Sequence, residues 1–153
     1  MIERFERFSL AIAEISRCWH KLAGEEMKVY GLKGAHATYL TILCRYPEGI
    51  TVPELCEISL KDKSDASRML AILEKKGLVR KEGGYGGTVA LTAAGCAAAA
   101  QVQQRVRRAV EAAGDGLSDE ERAAFYRALE AIARNLRTLS REGIPEKKKG
   151  ISP

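Results

Sequence analysis

Lys63, Ser64, Ser67 and Arg68 are spaced so that all four fall on one side of an α-helix, as two pairs one turn apart. Short hydroxyls beside long cations are what a helix lying in a DNA major groove can use. A guanidinium grips guanine through O6 and N7 with two bonds, lysine reaches the same acceptors, and a serine hydroxyl donates or accepts. Arg68 is therefore the strongest base-edge candidate. The same four residues also suit a helix face that touches only water, and by themselves they do not separate the two readings. Thr38, Thr51, Lys61, Lys75, Arg80 and Lys81 lie around the stretch and offer hydroxyls and cations to phosphate, a contact without sequence information. Asp65 is the acidic exception, and a carboxylate so near a helix start is expected to cap backbone amides before it accepts from a cytosine amine.

The elements that must position these side chains are written between Thr51 and Lys81. Thr51 followed by Glu54 is a capping box, and Pro53 stands in the first turn, where its missing donor costs nothing. The short helix it opens has Leu55 and Ile58 as its inward residues, and Ser59-Leu60-Lys61 forms a turn. Asp62, with Asp65 three residues on, starts a second helix over about 62–76, with Ala66, Met69, Leu70 and Leu73 on its buried side. Gly77 ends it in a left-handed cap after Lys75 and Lys76, whose charges suit a helix C-terminus. The period then falls to two. Leu78–Lys81 and Thr88–Leu91 make a β-hairpin around the loop Glu82–Gly87, in which glycines surround a single tyrosine, Tyr85.

Long helices flank this core. Over residues 3–30 the apolar residues Phe5, Phe8, Ile12, Ile15, Trp19 and Leu22 alternate spacings of three and four, a narrow stripe that prefers another helix to a sheet. Gly31 and Gly34 break it, and a helix with Tyr39, Leu40, Leu43 and Cys44 facing the core follows, ended by Pro47 and Gly49. Thr92 caps an alanine-rich helix carrying Val102, Val106 and Val110, which Asp115-Gly116 ends. Ser118 and Glu121 form another capping box before Phe125, Leu129, Ile132, Leu136 and Leu139. From Arg141 the chain turns polar, and residues 143–153, with Lys147, Lys148 and Lys149, are expected to be a disordered tail.

Whole-chain properties narrow the classes. The 153 residues are one domain's worth, 46% of them hydrophobic, with a net charge of +5 that favours polyanions without requiring them. No apolar run is long enough to span a membrane, and MIERFERF has charges where a signal peptide needs its apolar region, so a cytoplasmic protein is expected. Cys18, Cys44, Cys56 and Cys96 form no CxxC pair and are expected to be reduced, mostly as small buried hydrophobes. No phosphate loop, nucleophile–base pair or set of metal ligands is spelled out, so neither an enzyme nor a bound metal or other cofactor is expected.

The order of elements, the run LEKKGLVRK from Leu73 to Lys81 and the LTAAG from Leu91 to Gly95 resemble the MarR family of bacterial winged helix-turn-helix regulators. The resemblance spans nearly the whole chain. It implies a mainly α fold with a small β-hairpin wing, as one domain over residues 1–142. The winged helix-turn-helix would occupy about 32–91, with dimerisation helices over about 3–30 and 92–141. It implies a homodimer on palindromic double-stranded DNA, its two reading helices about one duplex turn, roughly 34 Å, apart. It also implies repression or activation of transcription and, often, a small-molecule effector where the dimerisation and DNA-binding parts meet. Trp19, His20, His36 and Tyr39 are the residues placed near such a pocket.

The wing departs from the family pattern. Family wings carry a D-x-R stretch whose arginine enters the minor groove, and EGGYGG has neither residue. Specificity is then expected from the helix alone. The alternative is an interaction or ligand-binding protein of the same fold that has lost specific operator binding.

Overall fold

The computed structural model describes residues 2–146. The side chain of Phe5 and the Lys147–Lys149 run lie outside the described residues. In order, the chain forms α1 (Ile2–Met27), a 3-10 turn (Lys28–Tyr30), α2 (Gly34–Leu43), β1 (Ile50–Thr51), α3 (Val52–Ser59), α4 (Lys63–Lys75), β2 (Val79–Glu82), β3 (Thr88–Leu91), α5 (Ala93–Ala113) and α6 (Asp119–Glu142). It divides into two compact units, one up to Ala109 and one from Val110 onward.

The core of the first unit gathers the inward residues of the central elements. Tyr39, Leu40 and Leu43 of α2, Leu55 of α3, and Ala66, Leu70 and Leu73 of α4 pack with Val79, Val89 and Leu91 of the sheet and with Ala98, Ala99 and Val102 of α5. Each leucine buried in full contributes about 1.5–3 kcal/mol. Among the described residues, α1 joins this core at its end, through Ala23 and Met27.

Three local devices set the helix-turn-helix. Thr51 accepts from the Glu54 amide, and the Glu54 carboxylate takes the Thr51 amide at 2.8 Å. Those hydrogen bonds from Thr51 hold the Glu54 carboxyl below the ordinary carboxylate range. Leu60 ends α3 in the left-handed conformation at φ 56°, and the Lys61 amide returns to the Cys56 carbonyl. Asp62 then caps α4 by accepting from the Asp65 amide at 2.8 Å. At the other end of α4, Gly77 adopts φ +73°, the positive angle that favours glycine there.

The sheet has the order β1-β3-β2, antiparallel throughout, with Val79 opposite Leu91, Glu82 opposite Thr88, and Ile50 opposite Val89. β1 is absent from the expected hairpin because two residues are too few to display a period. It matters for the site, since it fixes the start of α3 against the wing.

Two expectations about packing are corrected. Ile58 is 42% exposed, and Val52 and Cys56 take the places against the core on either side of Leu55. An eight-residue helix presents one narrow face, which here passes through positions 52, 55 and 56 rather than 58. The cysteines are not buried hydrophobes as a group. Cys18, Cys44 and Cys96 are exposed and Cys56 is half-buried. Cys44 follows the last residue of α2, where the chain leaves the helix and the expected inward direction no longer applies.

In the second unit, α6 opens with the expected capping box, Ser118 accepting from the Glu121 amide at 3.2 Å and Glu121 taking the Ser118 amide at 2.8 Å. None of its described residues is buried, and Phe125, Ile132 and Leu136 stand exposed along it. The α1 stripe is likewise open: Phe8, Ile12, Ile15, Trp19 and Leu22 are all exposed, Ile15 by 57%.

Candidate nucleic-acid interface

α4 presents opposite chemistries on its two sides. Ala66, Leu70 and Leu73 are fully buried, while Lys63, Ser64, Ser67 and Arg68 are all exposed along the first two turns. The apolar side fixes the roll of the helix, so the four polar residues share one outward face. Lys63 and Ser67 also line an open cleft of about 380 Å³ between α4, the start of α3 and the wing, with Lys81 and Gly83–Thr88 opposite.

Arg68 is not loose on this face. Its Nη2 donates to Asp65 Oδ1 at 3.0 Å, one turn back along α4. The expectation that the Asp65 carboxylate caps the helix is therefore corrected. Asp62 does the capping, and the Asp65 side chain turns to the guanidinium instead.

The cations at the base of the wing are also engaged. Arg80 donates from Nε to Glu82 and from Nη1 to the Leu91 carbonyl at 3.0 Å, stitching β2 to the end of β3. Hydrogen bonding and charge from Glu82 push the Arg80 guanidinium's pKa above its usual value. Lys81 lies 3.3 Å from Glu74 on α4. Among the described residues Lys61, Lys63 and Lys75 form no ion pair and are exposed, so of the candidate cations these are available without rearrangement. Thr38 is exposed on α2, and the Thr51 hydroxyl also donates to Glu54 at 2.8 Å within its cap.

At the wing tip Tyr85 is fully exposed among the glycines. A Cβ on Gly87 would overlap the Glu82 carbonyl, so the reversal is closed by backbone approach and holds no cation.

A cavity of about 300 Å³ lies between α1 and α5, lined by Trp19, Leu22, Val102, Val106, Arg105 and Arg108 among others, and of the four residues placed near an effector only Trp19 reaches it. Arg105 is held there by Glu26 at 2.9 Å. His20 is exposed and bonds back to Ser16 on its own helix. His36 and Tyr39 are buried in the core, with His36 Nε2 and the Tyr39 hydroxyl lacking hydrogen-bond partners. His36 Nδ1 accepts the Lys33 amide at 3.0 Å at the start of α2. Burial pushes the His36 pKa down, the Lys33 backbone opposes and the Lys33 ammonium adds to the lowering. Burial likewise pushes the Tyr39 phenol up, and the nearby Ser59 hydroxyl opposes this without meeting hydrogen-bond geometry. Among the described residues no cluster of three or more metal-ligating side chains forms, and no helix is long and apolar enough to cross a membrane.

No curated protein matches the sequence. The family model of the MarR family matches residues 30–86, the stretch from the end of α1 to the wing. Among solved structures, a MarR transcriptional regulator from Methanosarcina mazei Go1 superposes with a TM-score of 0.81 at 21% identity, covering 88% of this chain and 92% of that one. A MarR-family transcriptional regulator from Silicibacter pomeroyi is 26% identical with a TM-score of 0.71, covering 90% of each chain. A MarR-family regulator from Listeria monocytogenes, solved with a 26mer DNA, gives 0.78 at 22% identity over 90% of this chain and 95% of that one. Residues 30–86 match the sequence pattern of the MarR family, and the helices and sheet are arranged as in these solved MarR-family structures, so the chain has their winged helix-turn-helix fold.

Proposed function

We propose that the protein is a DNA-binding transcriptional regulator that reads a palindromic operator as a homodimer, with α4 entering the major groove. The observation that carries this reading is the face of α4. A helix pinned on one side by three fully buried residues presents Lys63, Ser64, Ser67 and Arg68 outward on the other. That is the placement a reading helix needs, its first turns toward base edges and its far side fixed to the fold. The Listeria relative, solved on a 26mer DNA, supports it by likeness of fold.

The homodimer rests on a different observation. The apolar stripes of α1 and α6 are open in a single chain, and stripes of this width are stable when covered by another helix. In the dimer the partner subunit's helices cover these stripes, which sets the distance between the two copies of α4. A small effector fits the cavity beside Trp19, between apolar walls and the cations Arg105 and Arg108.

The second reading, a protein of this fold without operator binding, is favoured by the wing. Its tip bears no cation, and Arg80 and Lys81 at its base are already paired. A gel shift against the chain's own upstream DNA, across a series of salt concentrations, separates the two. Tight binding to one sequence with a steep salt slope supports the regulator, and weak binding that ignores sequence supports the alternative.

A further inference from the structure

We infer that Asp65 is a specificity residue that acts through Arg68, holding the guanidinium in the pose that distinguishes guanine from adenine at one operator position. The inference rests on the reading of α4 as the base-reading helix and adds a residue that reading does not use.

The geometry is specific. Asp65 has no capping task, because Asp62 already takes the Asp65 amide, and its Oδ1 lies 3.0 Å from Arg68 Nη2. Both side chains are open, Arg68 by 72% and Asp65 by 44%, so as a surface ion pair the contact adds little stability. Its consequence is orientation. A free arginine side chain explores many rotamers and loses that freedom when fixed. A carboxylate one turn upstream restricts that search before DNA arrives. Five N–H donors serve one guanidinium, so with Nη2 engaged at Asp65 enough remain for the two bonds that guanine O6 and N7 accept. Adenine presents a donor at the O6 position, and an arginine held in place cannot turn away from it. An arginine released from Asp65 swings to a neighbouring phosphate and binds every sequence. Asp65 also places a negative charge near the DNA backbone, which lowers affinity for all sequences alike. Its removal therefore moves affinity and specificity in opposite directions, a pattern that no purely structural role produces.

The test begins with the full-length protein enriching a randomised duplex library, followed by titration of the enriched duplex and of duplexes with each base pair replaced in turn. The Asp65→Asn, Asp65→Glu and Arg68→Lys variants are titrated on the same set, with circular dichroism confirming the fold. Asp65→Asn should bind scrambled duplex more tightly than wild type and lose about tenfold in guanine-over-adenine preference at one symmetric pair of positions. Arg68→Lys should lose preference at the same positions, the double variant should lose no more than either alone, and Asp65→Glu should recover part of it. Unchanged preference in Asp65→Asn, or additive losses in the double variant, overturns the inference while leaving α4 as the reading helix. A wild-type protein that enriches no sequence overturns the reading of α4 itself, and the inference falls with it.

Discussion

The hydroxyl of Thr92 donates to the Gly77 carbonyl at 2.6 Å and accepts from the Gly95 amide at 3.1 Å. One side chain thus ties the cap of α4 to the first turn of α5. Beside it, a Cβ on Gly95 would lie 1.9 Å from the Leu78 carbonyl, so the helix start and the strand entry approach as closely as backbone allows. The LT-x-x-G run from Leu91 to Gly95 has here a physical basis: a cap with two partners and a glycine with no room for a side chain.

Thr92→Val keeps the bulk and removes both hydrogen bonds, and should lower stability by about 1–2 kcal/mol in urea unfolding. Gly95→Ala should cost more, because backbone must move to admit the methyl group. If the alanine variant unfolds at the wild-type midpoint, the close approach does not exist in solution.

Leu60 is 75% exposed and holds φ 56°, a conformation that costs a non-glycine residue roughly 1–2 kcal/mol. Leu60→Gly should relieve most of that strain, offset in part by the greater freedom of the unfolded chain. The expected result is a net gain of about 0.5–1 kcal/mol by chemical denaturation. A loss would mean that the leucine side chain has a stabilising partner in solution.

His36 sets a pH dependence of stability. Burial lowers its pKa in the folded chain below the ordinary 6.5, so the unfolded chain binds the proton first as pH falls. Its contribution is complete above 6.5, declines as pH drops below that value and stops changing once the folded residue titrates as well. Glu54 and Glu121, whose pKa values are lowered by their capping hydrogen bonds, contribute in a separate window below 4.5. A melting series from pH 8 to 5 should show a decline in wild type that is absent from His36→Gln. Parallel curves would remove His36 as its source.

Ile15→Glu places a charge in the open stripe of α1. Because Ile15 is 57% exposed in the single chain, the substitution should leave helix content nearly unchanged. Sedimentation velocity should report a dimer for wild type and a shift to monomer for the variant at micromolar concentration. A wild-type monomer would contradict the two-fold arrangement, and a dimeric variant would remove α1 from the interface.

The sequence made the local devices legible because each is written in neighbouring residues. The capping boxes at Thr51 and Ser118, the Asp62 cap, the Gly77 stop and the α4 core positions all follow from spacings of three and four. What it left hidden depends on contacts without a period. β1 is two residues long and is defined only by its pairing with β3. The inward face of α3 passes through Cys56 instead of Ile58, a shift set by how the helix meets its neighbours. At the candidate site, the four base-edge positions were readable as a face. The pairing of Asp65 with Arg68 was not, because Asp65 suited a capping role as well, and only the geometry of Asp62 assigns the cap elsewhere.

The central claim, that α4 reads bases, is tested most directly by titrating wild type and Arg68→Ala on an enriched duplex and on a scrambled one, with Lys61→Ala as a phosphate control. Arg68→Ala should lose about 1–3 kcal/mol on the enriched duplex, concentrated at one base position, and little on the scrambled one. Lys61→Ala should weaken both alike and reduce the salt slope by about one. An equal loss on the two duplexes for Arg68→Ala would contradict base reading by this helix.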